Sequence, residues 1–206
     1  MAVMRKKAIF ALQNEDKTHR RRMDYQTLIQ QYYPQDDSLR RLLLLHSQQV
    51  ANRCLNICDR HPELHLDRAF LDEAAMLHDI GIRWCHAPAI FCTGEEPYVC
   101  HGLIGGKLLR QVGLIKHAQV CERHTGAGIT VMPTSRDGRP LLPADWLQEG
   151  LFVPQSLEEQ VVCYADKFYS KSHPERELTI DQAAQSLERF GRDGVERFLS
   201  WADKFE

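Results

Sequence analysis

A histidine or an aspartate interrupts the apolar face of each of five predicted helices in this chain. Residues three, four and seven apart share a helix face, and in residues 38–60 this places His46 beside Val50 and Cys54. The same spacing places one such residue on each of four other apolar faces: His78, His101, His124 and Asp166. Asp79 directly follows His78. Burying these groups without partners costs several kcal/mol each, and a shared cation removes that cost.

Any one of these residues alone would be interpreted as a buried side chain bonded to the backbone. Five on separate helices instead predict a common metal site, and imidazole and carboxylate donors without thiolate suit Fe, Mn, Co or Zn. The seven cysteines form no C-x-x-C motif, and their odd number favours free thiols in a reducing cytoplasm. We interpret Cys54 and Cys58, one helical turn apart, as small buried hydrophobes, because no second cysteine pair completes a site.

Helical spacing extends over most of the chain. The predicted helices cover residues 24–33, 38–60, 67–79, 99–112, 115–124, 156–170, 180–190 and 192–205. Within the proline-containing segment 125–155, "PADWLQEG" predicts a short helix, and only "GITVM" is compatible with a strand. We therefore predict an all-α fold, a helical bundle with a metal site at its centre. Residues 23–206 form its single domain, and residues 1–22 are predicted to be a flexible N-terminal extension.

Composition limits the classes of partner. The length of 206 residues suits one domain, and 43% hydrophobic with 26% charged residues is ordinary for a globular protein. A net charge of −2 gives no reason to expect a nucleic acid polymer as partner. No apolar run reaches transmembrane length, so we expect no membrane partner and a cytoplasmic location. A homodimer is left open.

The order H…HD…H…H…D resembles the HD superfamily of metal-dependent phosphohydrolases, and the resemblance covers roughly residues 23–170. It implies an HD domain with two divalent metal ions, of which iron is favoured and manganese or cobalt are alternatives. By this resemblance, one ion is held by His46, His78 and Asp166, and the other by His101 and His124. Asp79 would bridge the two ions through its two carboxylate oxygens.

Two further stretches, "VCHGLIGG" and "CERHTGAG", look most like the branch of the superfamily that hydrolyses diadenosine tetraphosphate. The branch of cyclic-dinucleotide phosphodiesterases is less similar, because its Gly-Tyr-Pro signature is absent. The resemblance implies hydrolysis of a phosphoester or phosphoanhydride in a small nucleotide, either a dinucleoside polyphosphate or a mononucleotide. A water activated by two metal ions would be the nucleophile.

Supporting residues are predicted from their position beside these motifs. We predict catalytic roles for three residues: Asp79, Arg83 and Lys167. We predict substrate-binding roles for four more: Lys107, Thr125, Gly126 and His86. Each basic residue could instead be a solvated surface charge, and Gly126 could also end a helix. The three glycines of the His101 helix are expected to allow close helix packing.

Two other functions use the same residues. Some HD-fold proteins hold mixed-valent di-iron with this ligand set and activate oxygen, so an HD-type oxygenase is the alternative to a hydrolase. A non-catalytic nucleotide sensor is a third reading. It is disfavoured because every predicted ligand position is filled.

Overall fold

The computed structural model describes residues 24–206, so the predicted extension over residues 1–22 lies outside the described residues. The α-helices of the described part are α1 Tyr25–Tyr32, α2 Ser38–Arg60, α3 Arg68–Leu77, α4 His101–Gln111, α5 Ile115–Arg123, α6 Ala144–Gln148, α7 Leu157–Asp166, α8 Ile180–Leu187 and α9 Arg192–Phe205. Short 3₁₀ turns occur at 62–64, 82–84, 88–90, 98–100 and 188–190.

Two small antiparallel hairpins accompany the helices. In the first, β1 (His86–Ala87) pairs with β2 (Cys92–Thr93), and in the second, β3 (Tyr169–Ser170) pairs with β4 (His173–Glu177). The prediction of an all-α architecture is confirmed, with these hairpins as minor additions.

The segment whose sequence is compatible with a strand, residues 128–132, is not a strand in the structure. "GITVM" runs as an irregular segment, because Gly126 and Gly128 adopt left-handed φ values of +65° and +91° and turn the chain there. The predicted helix over residues 156–170 instead ends at Asp166, and the chain continues into the second hairpin.

Side-chain caps explain where five of the helices begin, and Asp24 is the cap of α1. Asp37 accepts a hydrogen bond from the backbone N–H of Arg40, and Asp67 accepts one from Phe70 in the same way. The other two caps are Ser156 on α7 and Thr179 on α8. Each cap satisfies a backbone donor that the first helical turn leaves unpaired. Asp37 is therefore the N-cap residue of α2.

Helix α2 forms the centre of the bundle and packs against α3, α7 and the second hairpin. Its buried face includes Leu43, Val50, Cys54 and Ile57, and Cys54 is a free thiol. Helices α4 and α5 form an antiparallel pair, and α5 also contacts α3 and α7. Consequently, the ends of α3, α4, α5 and α7 meet beside the middle of α2. No helix in residues 24–206 is both long enough and apolar enough to cross a membrane.

Glycines let three of these ends approach closely, and this was predicted for the glycines of the His101 helix. A β-carbon on Gly81, just after α3, would collide with the carbonyl oxygen of His101 at the start of α4. A β-carbon on Gly102 would collide with the carbonyl oxygen of Cys121 on α5. That carbonyl also accepts a hydrogen bond from His124 Nδ1 at 2.7 Å. Close packing at Gly102 is therefore coupled to the position of His124.

We expect Gly102→Ala to lower the free energy of unfolding by about 1–3 kcal/mol, because the added methyl group must displace a backbone carbonyl. Gly194→Ala is the matched control, since Gly194 lies in α9 with nothing within 4 Å of its added β-carbon. That control should be neutral or stabilising by about 0.5–1 kcal/mol. Urea unfolding measures both. Equal stability of the two variants would contradict the close-packing explanation.

Candidate metal centre

All six residues that the sequence singled out as ligands come together in the structure, and all six are buried. Five of them occupy helix ends or lie just beyond them, and one of these, Asp79, directly follows His78. His78 and His124 are the C-cap residues of α3 and α5, His101 begins α4, and Asp166 ends α7. His46 comes from the middle of α2. Helix carboxyl ends carry partial negative charge, so three of them directed at one place favour a cation there.

The first group joins His46, His78, Asp79 and Asp166. His46 Nε2 lies 3.3 Å from His78 Nε2, 3.3 Å from Asp79 Oδ2 and 2.9 Å from Asp166 Oδ1. His78 Nε2 lies 3.3 Å from Asp79 Oδ2 and 3.5 Å from Asp166 Oδ1. The centre of a tetrahedron with such edges lies about 2.0 Å from each corner, which is the length of zinc–imidazole and zinc–carboxylate bonds. This group therefore has the size of a four-coordinate metal site.

The second group joins His101, His124 and the other oxygen of Asp79. Asp79 Oδ1 lies 3.3 Å from His101 Nε2 and 3.4 Å from His124 Nε2. Asp79 thus contributes one oxygen to each group, in the bridging position that the sequence resemblance implies. Three protein donors leave a coordination position open, as catalytic metal sites generally do.

Backbone carbonyls fix the orientation of three of the imidazoles. His78 Nδ1 lies 2.6 Å from the carbonyl oxygen of Ala75, and His101 Nδ1 lies 2.6 Å from that of Tyr98. His124 Nδ1 makes the equivalent bond to Cys121. A carbonyl oxygen only accepts, so Nδ1 carries the proton in each ring. When these rings are neutral, each Nε2 has a free lone pair directed at the cluster, which is the arrangement of a histidine ligand.

The His101–His124 pair tests most directly whether the site fits a cation. Their Nε2 atoms are 2.9 Å apart. Burial lowers the pKa of His101 to about 3, and burial also lowers the pKa of His124. Both rings are therefore neutral at physiological pH, and two lone pairs face each other without a proton between them. A cation bound by both nitrogens removes this repulsion, so the residues present fit a metal ion.

The carboxylate of Asp79 supports the same conclusion. Both of its oxygens are buried without a hydrogen bond of normal geometry, although Lys171 Nζ lies 2.5 Å from Oδ2. Burial opposes its charge, but the Lys171 ammonium and the His78 imidazole hold the pKa of Asp79 well below its usual range. Burial also lowers the pKa of His78, yet Asp79 and Asp166 outweigh it and raise that pKa to about 9. The Asp79 carboxylate therefore stays charged.

A cavity of about 720 Å³ opens onto the second group. His101, His124 and Asp166 are among the residues that line it. Part of the remaining lining is polar, and the larger part is apolar. The apolar part includes Ile90, Ile129, Val131, Met132, Leu187 and Phe190. The volume of the cavity lies in the range of small-molecule binding sites. Parts of both segments that could cover a substrate, 80–98 and 125–155, border this cavity.

The predicted supporting residues divide into two sets. Thr125, Gly126 and Lys167 line the cavity. Lys167 Nζ lies 2.6 Å from Asp166 Oδ2 and donates to the carbonyl oxygen of His124 at 3.0 Å. Lys167 therefore contacts two of the cluster residues and helps to hold them in position. Gly126 follows the end of α5 with a left-handed φ of +65°, as a residue that ends a helix can, and its role in substrate binding stays a prediction.

The other three supporting residues lie elsewhere. Arg83 lines a separate depression and donates through Nη1 to the carbonyl oxygen of Tyr32. Lys107 is exposed on α4, and His86 is exposed in the first hairpin. The structure does not bring these three side chains to the cavity. Arg83 turns away because residues 82–84 form a 3₁₀ turn directed toward α1.

Two residues near the cluster were not assigned by the sequence reasoning. Lys171, in the turn of the second hairpin, contacts Asp79 and lines the cavity. Its sequence surroundings, "YSKSHPERE", carry no periodic signal that would have placed it there. The Tyr33 hydroxyl donates to the carbonyl oxygen of Ile80 at 2.9 Å and accepts from the N–H of Arg83. Tyr33 thereby fixes the turn that follows Asp79.

A buried ion pair supports the cluster from α5. Arg123, next to His124, contacts both carboxylate oxygens of Glu159 on α7 at 2.9 Å and also donates to the carbonyl oxygen of Leu151. Glu159 accepts a further hydrogen bond from the N–H of Gln155. This network holds α5 and α7 in register, and each of these helices presents one of the cluster residues.

Comparisons with known proteins give relatives but no assigned activity for this site. No family model matches the chain, and no solved structure matches it. The resemblance to the HD superfamily therefore stays a prediction. Part of the chain is 27% identical over 130 residues to the tRNA (cytidine(56)-2'-O)-methyltransferase of Picrophilus torridus. That match covers 63% of this chain and 32% of the methyltransferase, so the chain spans about a third of that protein.

A second relative matches over a larger share of both proteins. The chain is 31% identical over 155 residues to Uncharacterized protein MJ0778 of Methanocaldococcus jannaschii. This match covers 70% of the chain and 79% of the relative. The chain therefore belongs to the same protein family as Uncharacterized protein MJ0778 of Methanocaldococcus jannaschii.

Proposed function

We propose that this protein is a metal-dependent phosphohydrolase of the HD type, acting on a small nucleotide such as a dinucleoside polyphosphate or a mononucleotide. The observation that carries the proposal is the second group of the candidate metal centre. It offers three neutral or anionic donors, and two of them, His101 and His124, line a cavity of about 720 Å³. A three-donor site open to a cavity is the usual form of a catalytic metal site.

The donor set supports two divalent ions. The two groups share Asp79, and each contains at least two imidazoles. Imidazole and carboxylate donors suit iron, manganese or cobalt, with iron favoured by the resemblance. When bound, such ions supply a water activated for attack and stabilise the charge that develops on the phosphoryl oxygens.

The residues around the cluster would orient the reacting parts. Lys167 holds Asp166 and the carbonyl of His124 in place. Lys171 lines the cavity and provides positive charge there, and phosphate oxygens need such a counter-charge. The apolar part of the lining, with Met132 and Phe190, gives a nucleobase a surface to pack against. A local positive site within a chain of net charge −2 favours a compact anion over a polymer.

A substrate panel tests the proposal. Protein loaded with Fe²⁺, Mn²⁺ or Co²⁺ under anaerobic conditions should release phosphate or mononucleotide from diadenosine tetraphosphate or from nucleoside mono- and triphosphates. Short DNA and RNA should remain intact. Turnover confined to cyclic dinucleotides or oligonucleotides would contradict the substrate class, and release of neither phosphate nor mononucleotide from any compound would contradict the hydrolase.

One observation favours a second candidate, a mixed-valent di-iron oxygenase. The second group consists of two histidines and one carboxylate, the set that non-haem iron oxygenases use with open positions for oxygen and substrate. The two candidates share their protein ligands and differ in the chemistry at the open position. Iron-loaded protein that consumes oxygen and gives a mixed-valent electron paramagnetic resonance signal would support the oxygenase. Anaerobic phosphate release without oxygen consumption would support the hydrolase.

A further inference from the structure

Lys171 is a buried cation whose pairing with Asp79 the proposed hydrolysis does not by itself explain. It lies in the turn between β3 and β4, and its side chain is only 13% exposed. Its Nζ atom is 2.5 Å from Asp79 Oδ2 and 4.0 Å from Asp166 Oδ1. The Tyr98 hydroxyl interacts with the same ammonium. The ammonium therefore pairs directly with the carboxylate that both metal-ligand groups share.

A divalent cation in the first group and Lys171 compete for one oxygen atom. Asp79 Oδ2 is also the oxygen that lies 3.3 Å from both His46 Nε2 and His78 Nε2. A cation bound among these three atoms would stand beside the ammonium, and like charges at such short range repel strongly. The divalent ion has the additional imidazole donors, so Lys171 is the partner that must leave.

The surroundings leave the side chain free to move while its backbone stays fixed. The hairpin is tied to α2 by a hydrogen bond from Gln49 Nε2 to the carbonyl oxygen of Pro174 and by the ion pair between Arg53 and Glu177. The lysine stem has four flexible carbons. The cavity lies next to it, since Ser170, Lys171 and Ser172 all line its wall.

We propose that Lys171 exchanges partners. It pairs with Asp79 until a divalent cation occupies the cluster, and it then turns into the cavity and binds the anionic group of the substrate. Lys167, the neighbouring ammonium, cannot take this role without releasing Asp166 and the His124 carbonyl. The anion-binding half of this inference rests on the proposed function, whereas the competition for Asp79 rests on the cluster alone.

The exchange predicts opposite effects of one substitution on two binding constants. Lys171→Met removes the competitor, so the Kd for Mn²⁺ should fall about tenfold. It also removes the anion-binding charge, so the Kd for inorganic phosphate on the Mn²⁺-loaded protein should rise about tenfold. Isothermal titration calorimetry measures both. Lys171→Arg keeps the charge and should retain phosphate binding, and Lys204→Met on the exposed face of α9 should change neither constant.

Unchanged or weaker Mn²⁺ binding by Lys171→Met would overturn the exchange, as would unchanged phosphate binding. Lys171→Gln provides the same two readings if Lys171→Met does not fold. Failure of the proposed function is distinguishable from failure of the exchange. If the wild-type protein hydrolyses no phosphate compound but both shifts occur, the exchange stands and the hydrolase fails. If the wild-type protein hydrolyses nucleotides and neither shift occurs, the exchange fails and the hydrolase stands.

Discussion

Asp79→Asn is expected to abolish metal binding and to reduce hydrolysis by about a thousandfold or more, because both ions lose their shared anionic ligand. Asparagine has nearly the same size, so the effect would come from the lost charge rather than from a cavity. Asp79 is fully buried and provides one oxygen to each group of the cluster. Stopped assays of nucleotide hydrolysis and inductively coupled plasma mass spectrometry of the purified variant measure the two losses.

The same variant should lose the stabilisation that metal gives the wild-type protein. A ligand at 100 times its Kd adds about 2.7 kcal/mol to the free energy of unfolding, which is several degrees in Tm. Differential scanning fluorimetry with added Mn²⁺ should show this shift in the wild-type protein and not in Asp79→Asn. Asp203→Asn, at an exposed position of α9, is the control and should behave as wild type. An equal Mn²⁺ shift in Asp79→Asn would contradict the assignment of Asp79 as the shared ligand.

Glu159→Ala is expected to lower the free energy of unfolding by about 3–5 kcal/mol, because it leaves the Arg123 charge buried without its partner. The side chains of Arg123 and Glu159 are only 8% and 6% exposed, and the pair joins α5 to α7. Guanidinium unfolding followed by circular dichroism measures the loss. Metal affinity should fall as well, since both helices carry cluster residues at their ends.

Two comparisons separate the buried charge from general loss of contacts. Glu196→Ala breaks the exposed pair with Arg192 on α9 and should change stability little. The double variant Arg123→Met with Glu159→Leu removes both charges and should recover much of the stability lost in Glu159→Ala. A double variant as unstable as Glu159→Ala would show that the buried charge is not the cause of the loss.

The sequence predicted the helices and the gathering of the six side chains, because both depend on local spacing. His78 and His124 end their helices, and each bonds to the carbonyl three residues earlier, so a local motif already directs the ring. Close packing at Gly102 was predictable in the same way, because a glycine inside an amphipathic helix costs stability unless a neighbouring helix needs the space.

What the sequence could not predict depends on contacts between distant segments. Lys171 reaches Asp79 across 92 positions of the chain, from a polar hairpin with no hydrophobic period of its own. Arg83 lies shortly after Asp79 in the sequence, yet its side chain donates a hydrogen bond to the carbonyl oxygen of Tyr32 in α1. The segment after Gly128 packs around a separate small hydrophobic cluster of Ile129, Leu142 and Phe152. These three residues have no regular spacing in the sequence, so their contact could not be predicted from it.

The metal content of the intact protein tests the central claim most directly. Protein purified without chelator, dialysed against Mn²⁺ or anaerobic Fe²⁺ and then freed of unbound metal, should retain roughly two ions per chain by inductively coupled plasma mass spectrometry. His101→Ala with His124→Ala should retain roughly one, because the first group keeps its four donors. A wild-type chain that retains essentially no divalent metal under these conditions would contradict the metal centre and the proposed function with it.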